Sequence, residues 1–409
     1  MQIDWDREID TPATIAVIGA GPVGVEAALY ARFLGYSVLL FDSHRVGHRQ
    51  LAWGDRLLEP TWGELTSPLG LAALAAQGTD QELPSSSASG DDAPNQSASV
   101  SYRQYIEQYL IPAARTDLLY ESVQVNSRVT SISRTSCGSD PSVANERRAE
   151  QEFRLLIDSR QRGEYTQLVD IVLDCSGLAR LPGLASGGGL AIGERAVQDE
   201  MLRDRVDVLG KHRTRLAGKH TLLFGRDEEA CGNAIDLAQL AQAVTGTRAT
   251  WIVPKQFGGH DRLSFSPHAA AEFAATARRL ADNEESDSPV VSLVAWGIES
   301  IQVDADVGWR VRLQVSEEET LDIQGDELIN CQGAQRDWSF TQALPLVQSQ
   351  GEDGLTGEPH YYVLGQKAVG ASERCTMQQA FEQIKRVFSQ IGGRAELDLY
   401  ETVRRHNSA

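Results

Sequence analysis

Residues 14–42 read TIAVIGAGPVGVEAALYARFLGYSVLLFD. The short run from Ile15 to Ile18 is apolar and rich in β-branched residues, so it predicts a buried strand. A Gly-x-Gly-x-x-Gly pattern follows at once, then a helical segment, and then a second apolar run that stops at Asp42. This order of strand, glycines, helix, strand and acid is typical of a unit that binds the pyrophosphate of a dinucleotide.

The three glycines and their neighbours are the predicted contacts of this unit. Gly19 permits the tight turn out of the strand, Gly21 lets a pyrophosphate approach the backbone, and Gly24 lets the helix pack closely on the strand. Pro22 lies in the same turn and is included among the cofactor contacts. Asp42 lies where a carboxylate binds a ribose hydroxyl, and the helix N-terminus offers free N–H groups to the phosphates. Glycines also occur in ordinary turns, but the complete strand–helix–strand context favours nucleotide binding.

The length and charge of the chain limit its class. With 409 residues it favours two domains or one large one, and its formal charge of −19 argues against nucleic acid and anionic membranes as partners. The acidic N-terminus is unlike a targeting peptide, and no apolar run is long enough to span a bilayer. The five cysteines are scattered without Cys-x-x-Cys or zinc spacing, so we expect no disulfide framework, no metal site and a reducing cytoplasm.

A long connection follows Asp42 and is expected to line the ligand crevice, because loops at the carboxyl ends of parallel strands do so in this fold. Arg45 and Trp53 are its candidate cofactor contacts. Trp53 and the later Trp62 would serve equally well as hydrophobic anchors beneath the loop, and the sequence leaves both possibilities open.

Polar segments interrupt the first half of the chain. Residues 78–100 include PSSSASGDDAPNQSAS, which lacks apolar periodicity and predicts a disordered surface insertion. A second polar segment separates Val123–Ser133 from Phe153–Asp158, two runs that alternate like antiparallel strands. Cys137 lies in that segment and is expected to be an exposed thiol.

Two later segments have the pattern of buried strands with a cofactor-facing end. The run Leu168–Asp174 predicts a strand, and Gly177 shortly after it predicts backbone that comes close to a cofactor. Tyr361–Leu364 predicts a last strand, and Thr376 is expected to cap a helix over residues 377–391.

A second strand–helix–strand unit begins at Leu222. Gly225 occupies the first glycine position of its turn, but Asp227 occupies the second. The Cβ and negative charge of Asp227 stand where a pyrophosphate would approach, although an acidic residue also suits a helix N-terminus without any ligand. Lys255 follows the next strand, where a cation would meet a ribose 2′-phosphate.

The assembled pattern resembles the two-dinucleotide-binding-domain flavoproteins, which include pyridine-nucleotide disulfide reductases, thioredoxin reductases and flavin monooxygenases. Four features carry the resemblance: GAGPVG with Asp42, the strand LVDIVLDCSG, the unit at Gly225, and YYVLGQKAVG before the last predicted helix. It covers nearly the whole chain and implies an α/β fold, an FAD-binding Rossmann-type domain with an inserted second NAD(P)-binding Rossmann-type domain. The implied FAD domain comprises residues 1–217 and 327–409, and the implied nicotinamide-nucleotide domain comprises residues 218–326.

The resemblance also implies where the cofactors bind. FAD would bind the first unit, with its adenine near Val129 and its isoalloxazine ring near Gly365 and the helix that Thr376 begins. NAD(P)H, with NADPH favoured, would bind the second unit. Gln366 stands where many relatives have an aspartate that holds the ribityl chain. The loop with Trp53 looks most like that of monooxygenase-like relatives, and the absence of Cys-x-x-Cys argues against dithiol–disulfide chemistry.

The implied function is an FAD-dependent oxidoreductase that acts on a small-molecule substrate. Hydride would pass from NAD(P)H to FAD, and the electrons would pass on to oxygen or an organic acceptor, as in a monooxygenase. No catalytic residue is identified, and His44, His48 and His360 are expected to be ordinary histidines. Two alternatives stay open: an FAD-binding protein with a degenerate nicotinamide site, which Asp227 favours, and a nicotinamide-independent flavin oxidase or dehydrogenase.

Overall fold

The computed structural model describes residues 9, 12–77, 97–140, 142–180, 183–184, 189–255, 262–265, 270–284, 287–304, 308–331, 334–346, 356–370 and 375–407. Its strands are β1 Thr14–Ile18, β2 Ser37–Phe41, β3 Val123–Gln124, β4 Ser127–Arg134, β5 Phe153–Ser159, β6 Gly163–Val169, β7 Ile171–Asp174, β8 Leu178–Arg180, β9 Leu202–Arg203, β10 His220–Gly225, β11 Arg248–Pro254, β12 Val290–Ala295, β13 Gly297–Asp304, β14 Gly308–Gln314, β15 Thr320–Gly325, β16 Glu327–Cys331, β17 Ala334–Arg336 and β18 Tyr361–Val363. Its α-helices are α1 Pro22–Phe33, α2 His48–Leu51, α3 Trp62–Leu65, α4 Pro68–Ala76, α5 Tyr102–Tyr105, α6 Ile111–Ala114, α7 Asn145–Ala149, α8 Glu194–Val197, α9 Arg213–Leu216, α10 Glu228–Ala243, α11 Ala271–Ala281, α12 Gln366–Val369, α13 Met377–Ile391 and α14 Leu399–Asn407. Most of the predicted insertion at 78–100 lies outside the described residues, whereas Val100 at its end is buried.

The chain forms two compact units, and the predicted α/β fold class is confirmed. Unit 1 comprises Met1–Leu51, Asp55–Ala179 and Arg336–Ala409, and unit 2 comprises Ala52–Gly54 and Arg180–Gln335. These limits differ from the predicted domain boundaries at 218 and 326, and the assignment of each unit to a cofactor remains a prediction. Within the part of the chain that is described, no helix is both long and apolar enough to cross a membrane.

Unit 1 is built on a five-stranded parallel sheet with the order β18-β7-β1-β2-β3. The chain leaves β1 toward β2 on one side, whereas β7 and β18 lie on the other side. Connections therefore diverge between β1 and β7, and ligands of open α/β sheets bind at the carboxyl ends of the strands at such a point.

The sequence pattern predicts the first helix over Val25–Leu34, whereas α1 begins three residues earlier at Pro22, because proline has a helical φ and lacks the N–H that a first-turn residue leaves unbonded. It ends at Phe33, and Gly35 follows with a φ of +95°. The Tyr30 ring stacks on Phe388 of α13 with 5.0 Å between the ring centroids. The predicted helix at 377–391 and its Thr376 cap are confirmed, since Thr376 and Gln379 form a capping box.

Three sequence predictions for unit 1 need correction. The run Leu168–Asp174 is not one strand: β6 pairs antiparallel with β5, β7 pairs parallel with β1, and Asp170 between them accepts a hydrogen bond from the Thr14 N–H at 2.7 Å. The run Val123–Ser133 also divides, because Asn126 adopts a φ of +52° and only β4 pairs antiparallel with β5. Cys137 is buried and not exposed.

Unit 2 repeats the doubly wound pattern and adds an antiparallel meander of β13, β14 and β15. Its parallel sheet has the order β12-β11-β10-β16-β9. Helix α10 connects β10 to β11 on one side, and β16 lies on the other side of β10. The connections thus diverge between β10 and β16, where the sequence predicts the second nucleotide site.

Candidate functional site

Two glycines of the first turn are required by the packing of the protein itself. Gly19 has a φ of +102°, and a Cβ built on it would lie 2.6 Å from the carbonyl oxygen of Cys175. A Cβ on Gly24 would lie 1.8 Å from the carbonyl oxygen of Gly19. Both distances are far below van der Waals contact, so no other residue fits at either position.

Gly21 differs, because neither packing nor backbone conformation demands glycine there. Its φ is −79°, and among the described residues a Cβ built on it would meet only the Gln50 side chain, 3.8 Å away. Gly21 is the N-cap of α1 and Pro22 is its first residue. The open space above Gly21, beside the N–H groups of a helix N-terminus, fits the pyrophosphate that this fold binds at that position.

The Asp42 carboxylate holds the turn and the loop after β2 together. Its Oδ2 accepts a hydrogen bond from the Ala20 N–H and its Oδ1 accepts one from the His44 N–H, both at 2.7 Å. A carboxylate oxygen can accept more than one hydrogen bond, so ribose binding by Asp42 remains compatible with this arrangement. The His44 and His48 rings stack with 4.3 Å between their centroids.

The other predicted residues lie in the loop after Asp42 and in β4, and their surroundings differ. Arg45 is exposed, and Val129 is buried in the core between the unit 1 sheet and the β4–β5–β6 meander. Trp53 belongs to unit 2, where the Arg205 guanidinium lies 5.1 Å from its ring centroid. Trp62 is buried in unit 1, as the anchor interpretation predicts. The role of Trp53 as a flavin contact stays a prediction.

Helix α2 supplies two residues that the sequence analysis missed, Arg49 and Gln50. The Arg49 Nη1 donates a hydrogen bond to the Leu178 carbonyl at 2.5 Å and lies 4.0 Å from a Cβ built on Gly177. Gly177 has a φ of +72°, a conformation that favours glycine. Arg49 and Gln50 therefore flank the same crevice, although only their position in the loop after Asp42 would have suggested it.

The segment YYVLGQKAVG, residues 361–370, is the closing motif, and it packs on the first turn of α1. Gly365 has a φ of +69°, and a Cβ on it would lie 3.0 Å from the Val23 side chain. The Gly365 N–H donates to Oε1 of the buried Gln383 at 2.7 Å. The Gln366 amide braces its own loop, since its Nε2 donates to the Gly370 carbonyl at 2.6 Å and its Oε1 accepts from the Cys375 N–H at 2.9 Å.

A buried charged network lies at the same edge of the sheet, and the sequence analysis did not predict it. The Lys367 ammonium contacts the Asp174 carboxylate at 2.5 Å, and the Tyr361 hydroxyl donates to that carboxylate at 2.7 Å. Burial raises the pKa of Tyr361 well above its usual value, and the nearby Asp174 raises it further, so the phenol stays protonated. Burial also raises the pKa of the neighbouring Cys175 thiol, which therefore is no thiolate nucleophile at neutral pH.

The turn of unit 2 keeps the first glycine but fills the second position. Gly225 has a φ of +146°, and a Cβ on it would lie 1.8 Å from the Cys331 carbonyl oxygen. Asp227 is the N-cap of α10, and its Oδ1 accepts a hydrogen bond from the Ala230 N–H at 3.0 Å. A negative charge thus occupies the end of the helix where a phosphate would bind, and this turn does not fit a pyrophosphate in the usual pose. Lys255 lies at the end of β11, with its ammonium 5.0 Å from the Trp296 ring centroid.

No protein-family model and no curated protein sequence matches the chain. Solved structures do match. The FAD-bound cadaverine monooxygenase of desferrioxamine biosynthesis from Erwinia amylovora has a TM-score of 0.61 at 12% identity, over 94% of this chain and 95% of that one. The ornithine N-hydroxylase from Kutzneria sp. 744 has a TM-score of 0.59 at 15% identity, over 97% and 100%.

Bacillithiol disulfide reductase from Bacillus cereus also matches, with a TM-score of 0.58 at 14% identity, over 97% of this chain and 100% of that one. At such low identities the likeness establishes the fold alone. The chain has the two-unit Rossmann-type fold of these proteins, as its motifs predict.

Proposed function

We propose that this protein is an FAD-dependent oxidoreductase that acts on a small-molecule substrate. The observation that carries the proposal is the open space at Gly21, because no contact with the described residues and no backbone strain requires glycine there, whereas a bound pyrophosphate would. The cadaverine monooxygenase is bound to FAD, and the N-hydroxylase structure holds reduced FAD, NADP+ and L-ornithine. By analogy with these two neighbours, the reaction proposed for this chain is monooxygenase-like.

Unit 1 would hold FAD with the residues that surround its crevice. The N–H groups at the start of α1 and the Arg49 guanidinium would neutralise the pyrophosphate, and Asp42 would bind a ribose hydroxyl. The positive-φ turns at Gly177 and Gly365 would bring backbone close to the cofactor. Bound FAD would supply two-electron redox chemistry, and the protein would supply orientation, charge and exclusion of water.

The residues of unit 2 give opposite indications about the electron donor. Lys255 favours NADPH, whereas Asp227 opposes a pyrophosphate at the start of α10. We therefore expect NADPH to bind weakly or in a pose that avoids Asp227. The same carboxylate favours a second candidate function, an FAD-binding protein that does not use nicotinamide nucleotides.

The test is the absorption spectrum of the purified protein before and after anaerobic addition of NADPH or NADH. Flavin absorbance that bleaches with NADPH supports the oxidoreductase with a nicotinamide donor. Flavin absorbance that NADPH leaves unchanged supports the second candidate, and bleaching by a metabolite in its place indicates a nicotinamide-independent oxidase or dehydrogenase. Protein that takes up no FAD, even when FAD is supplied during refolding or purification, contradicts the whole proposal.

A further inference from the structure

Lys367 is a charged side chain without solvent access. The side chains of Lys367 and Asp174 are both 0% exposed. Burying an ammonium and a carboxylate is unfavourable unless each is paired and hydrogen-bonded. The stability of this pair therefore depends on the groups that surround it.

The three donors of the Lys367 ammonium have three acceptors. They are Asp174 Oδ2 at 2.5 Å, the Asp337 carbonyl oxygen at 2.6 Å and Ser176 Oγ at 3.4 Å. The rings of Trp338 and Phe340 lie 4.4 and 4.5 Å from the ammonium, at distances that stabilise a cation over an aromatic face. The segment from Asp337 to Phe340 thus forms a socket for this one charge.

Asp174 connects the socket to the turn after β7. Its Oδ1 accepts hydrogen bonds from the Ser176 N–H at 3.1 Å and from the Ser176 hydroxyl at 2.6 Å. These bonds fix the turn that leads to Gly177 with its φ of +72°. The Asp174 carboxylate therefore holds the backbone of residues 175–177 in the conformation that faces the candidate FAD crevice.

The pair lies where two connections of the sheet meet. Asp174 ends β7, and Lys367 lies in α12, two residues after Gly365 of the closing motif. Both residues are at the carboxyl edge of the unit 1 sheet. A second buried ionic cluster lies before β18 at the amino edge, where the Glu358 carboxylate pairs with Arg134 at 2.7 Å and with Arg148 at 2.8 Å.

We propose that Lys367 and Asp174 are positioning residues for the flavin. The ion pair holds the turn at 175–177 and the closing motif in one fixed arrangement, so that their backbone groups meet the bound cofactor. The inference rests on the proposed function, because it requires FAD in unit 1.

The experiment measures FAD dissociation constant, flavin absorption maximum and melting temperature for four variants. Lys367→Met and Asp174→Asn should each raise the FAD dissociation constant about tenfold or more, which corresponds to about 1.4 kcal/mol, and shift the flavin absorption band. Ser176→Ala removes one hydroxyl and should shift the band in a folded protein. The double variant Lys367→Met/Asp174→Leu leaves no unpaired charge, so it should melt closer to the wild type than either single variant while its FAD affinity stays low.

Arg134→Met and Glu358→Gln are the controls, because they disrupt an equally buried ionic cluster at the other edge. Arg134→Met is the closer match, since it leaves Glu358 paired with Arg148, whereas Glu358→Gln removes the carboxylate from both arginines. They should lower the melting temperature and leave the FAD dissociation constant and the absorption maximum unchanged. The inference is overturned if the controls weaken FAD as much as the Lys367 and Asp174 variants do, or if the double variant recovers wild-type affinity and spectrum. Wild-type protein that binds no FAD would overturn the proposed function itself, whereas FAD-loaded wild type with unaffected variants would overturn only the positioning role.

Discussion

Gly19 lies so close to Cys175 that a Cβ on the glycine would be 2.6 Å from the cysteine carbonyl oxygen. Unit 2 repeats this relationship, because a Cβ on Gly225 would be 1.8 Å from the carbonyl oxygen of Cys331. In both units the first glycine of the turn packs against backbone at the end of the neighbouring parallel strand, so the two turns share one construction. They differ two residues later, where unit 1 has Gly21 and unit 2 has Asp227.

Substitutions at Gly21 and Gly24 should separate cofactor binding from folding. Gly21→Asp should leave unit 1 folded and abolish copurifying FAD, because the side chain enters open space and places bulk and charge at the pyrophosphate position. Gly24→Ala should lose both the fold of unit 1 and the copurifying FAD, since the new Cβ would lie 1.8 Å from the Gly19 carbonyl oxygen. Melting temperature and flavin content of the purified variants measure the two effects.

Gly21→Ala is the control for bulk without charge, and it should fold as well as the wild type. Stoichiometric FAD in a folded Gly21→Asp variant would show that the first turn does not bind the cofactor.

The sequence predicts well those residues whose structural role depends on their neighbours in the chain. The turn glycines, the strand that ends before Asp42 and the Thr376 cap follow from neighbours in the chain, and the structure has them where the pattern indicates. The Lys367–Asp174 pair joins residues 193 positions apart, and nothing in either local sequence signals a buried charge. The division of Leu168–Asp174 between two sheets was missed for a similar reason, because the partners β5 and β1 are distant in sequence.

A buried carboxyl in unit 1 should make stability depend on pH. Glu26 of α1 is 3% exposed, and burial raises its pKa from 4.5 to about 7, although hydrogen bonding with Ser67 and Tyr400 offsets part of the rise. The folded state thus binds the proton more tightly than the unfolded state. The free energy of unfolding should fall as the pH rises from about 4.5 through about 7, by up to about 3 kcal/mol.

The measurement is denaturant unfolding at several pH values, for the wild type and for Glu26→Gln. The variant keeps the size of the side chain and removes its titration, so its stability should change less between pH 5 and pH 8. Parallel pH profiles of the two proteins would show that Glu26 does not cause the dependence.

Lys255 should discriminate between the two nicotinamide nucleotides. Its ammonium lies at the end of β11, where this fold places the ribose of a bound nucleotide, and an NADPH 2′-phosphate there would gain a charged partner. Lys255→Ala should therefore weaken NADPH and leave NADH nearly unchanged in anaerobic titrations of the flavin. Equal losses for both nucleotides would contradict recognition of the 2′-phosphate.

Asp227 is the residue on which the electron donor depends. A fixed negative charge about 4 Å from a phosphate costs on the order of 1 to 4 kcal/mol, depending on the local dielectric, which is roughly a tenfold to a thousandfold loss of affinity. Asp227→Asn removes the charge and keeps an oxygen that can accept from the Ala230 N–H, so α10 stays capped. NADPH should bind this variant more tightly and reduce the flavin faster than it does in the wild type.

Asp227→Gly completes the comparison, because it removes the carboxylate, the Cβ and the cap together. Replacing an N-cap aspartate by glycine costs only a few tenths of a kcal/mol, so the protein should remain folded. If charge alone repels the pyrophosphate, the asparagine and glycine variants should show the same gain in anaerobic stopped-flow reduction at several NADPH concentrations. A larger gain for glycine would mean that the Cβ also blocks the backbone. Tight and fast reduction of the wild type, unchanged in both variants, would show that NADPH avoids Asp227 entirely, and no reduction in any variant would favour a donor other than a nicotinamide nucleotide.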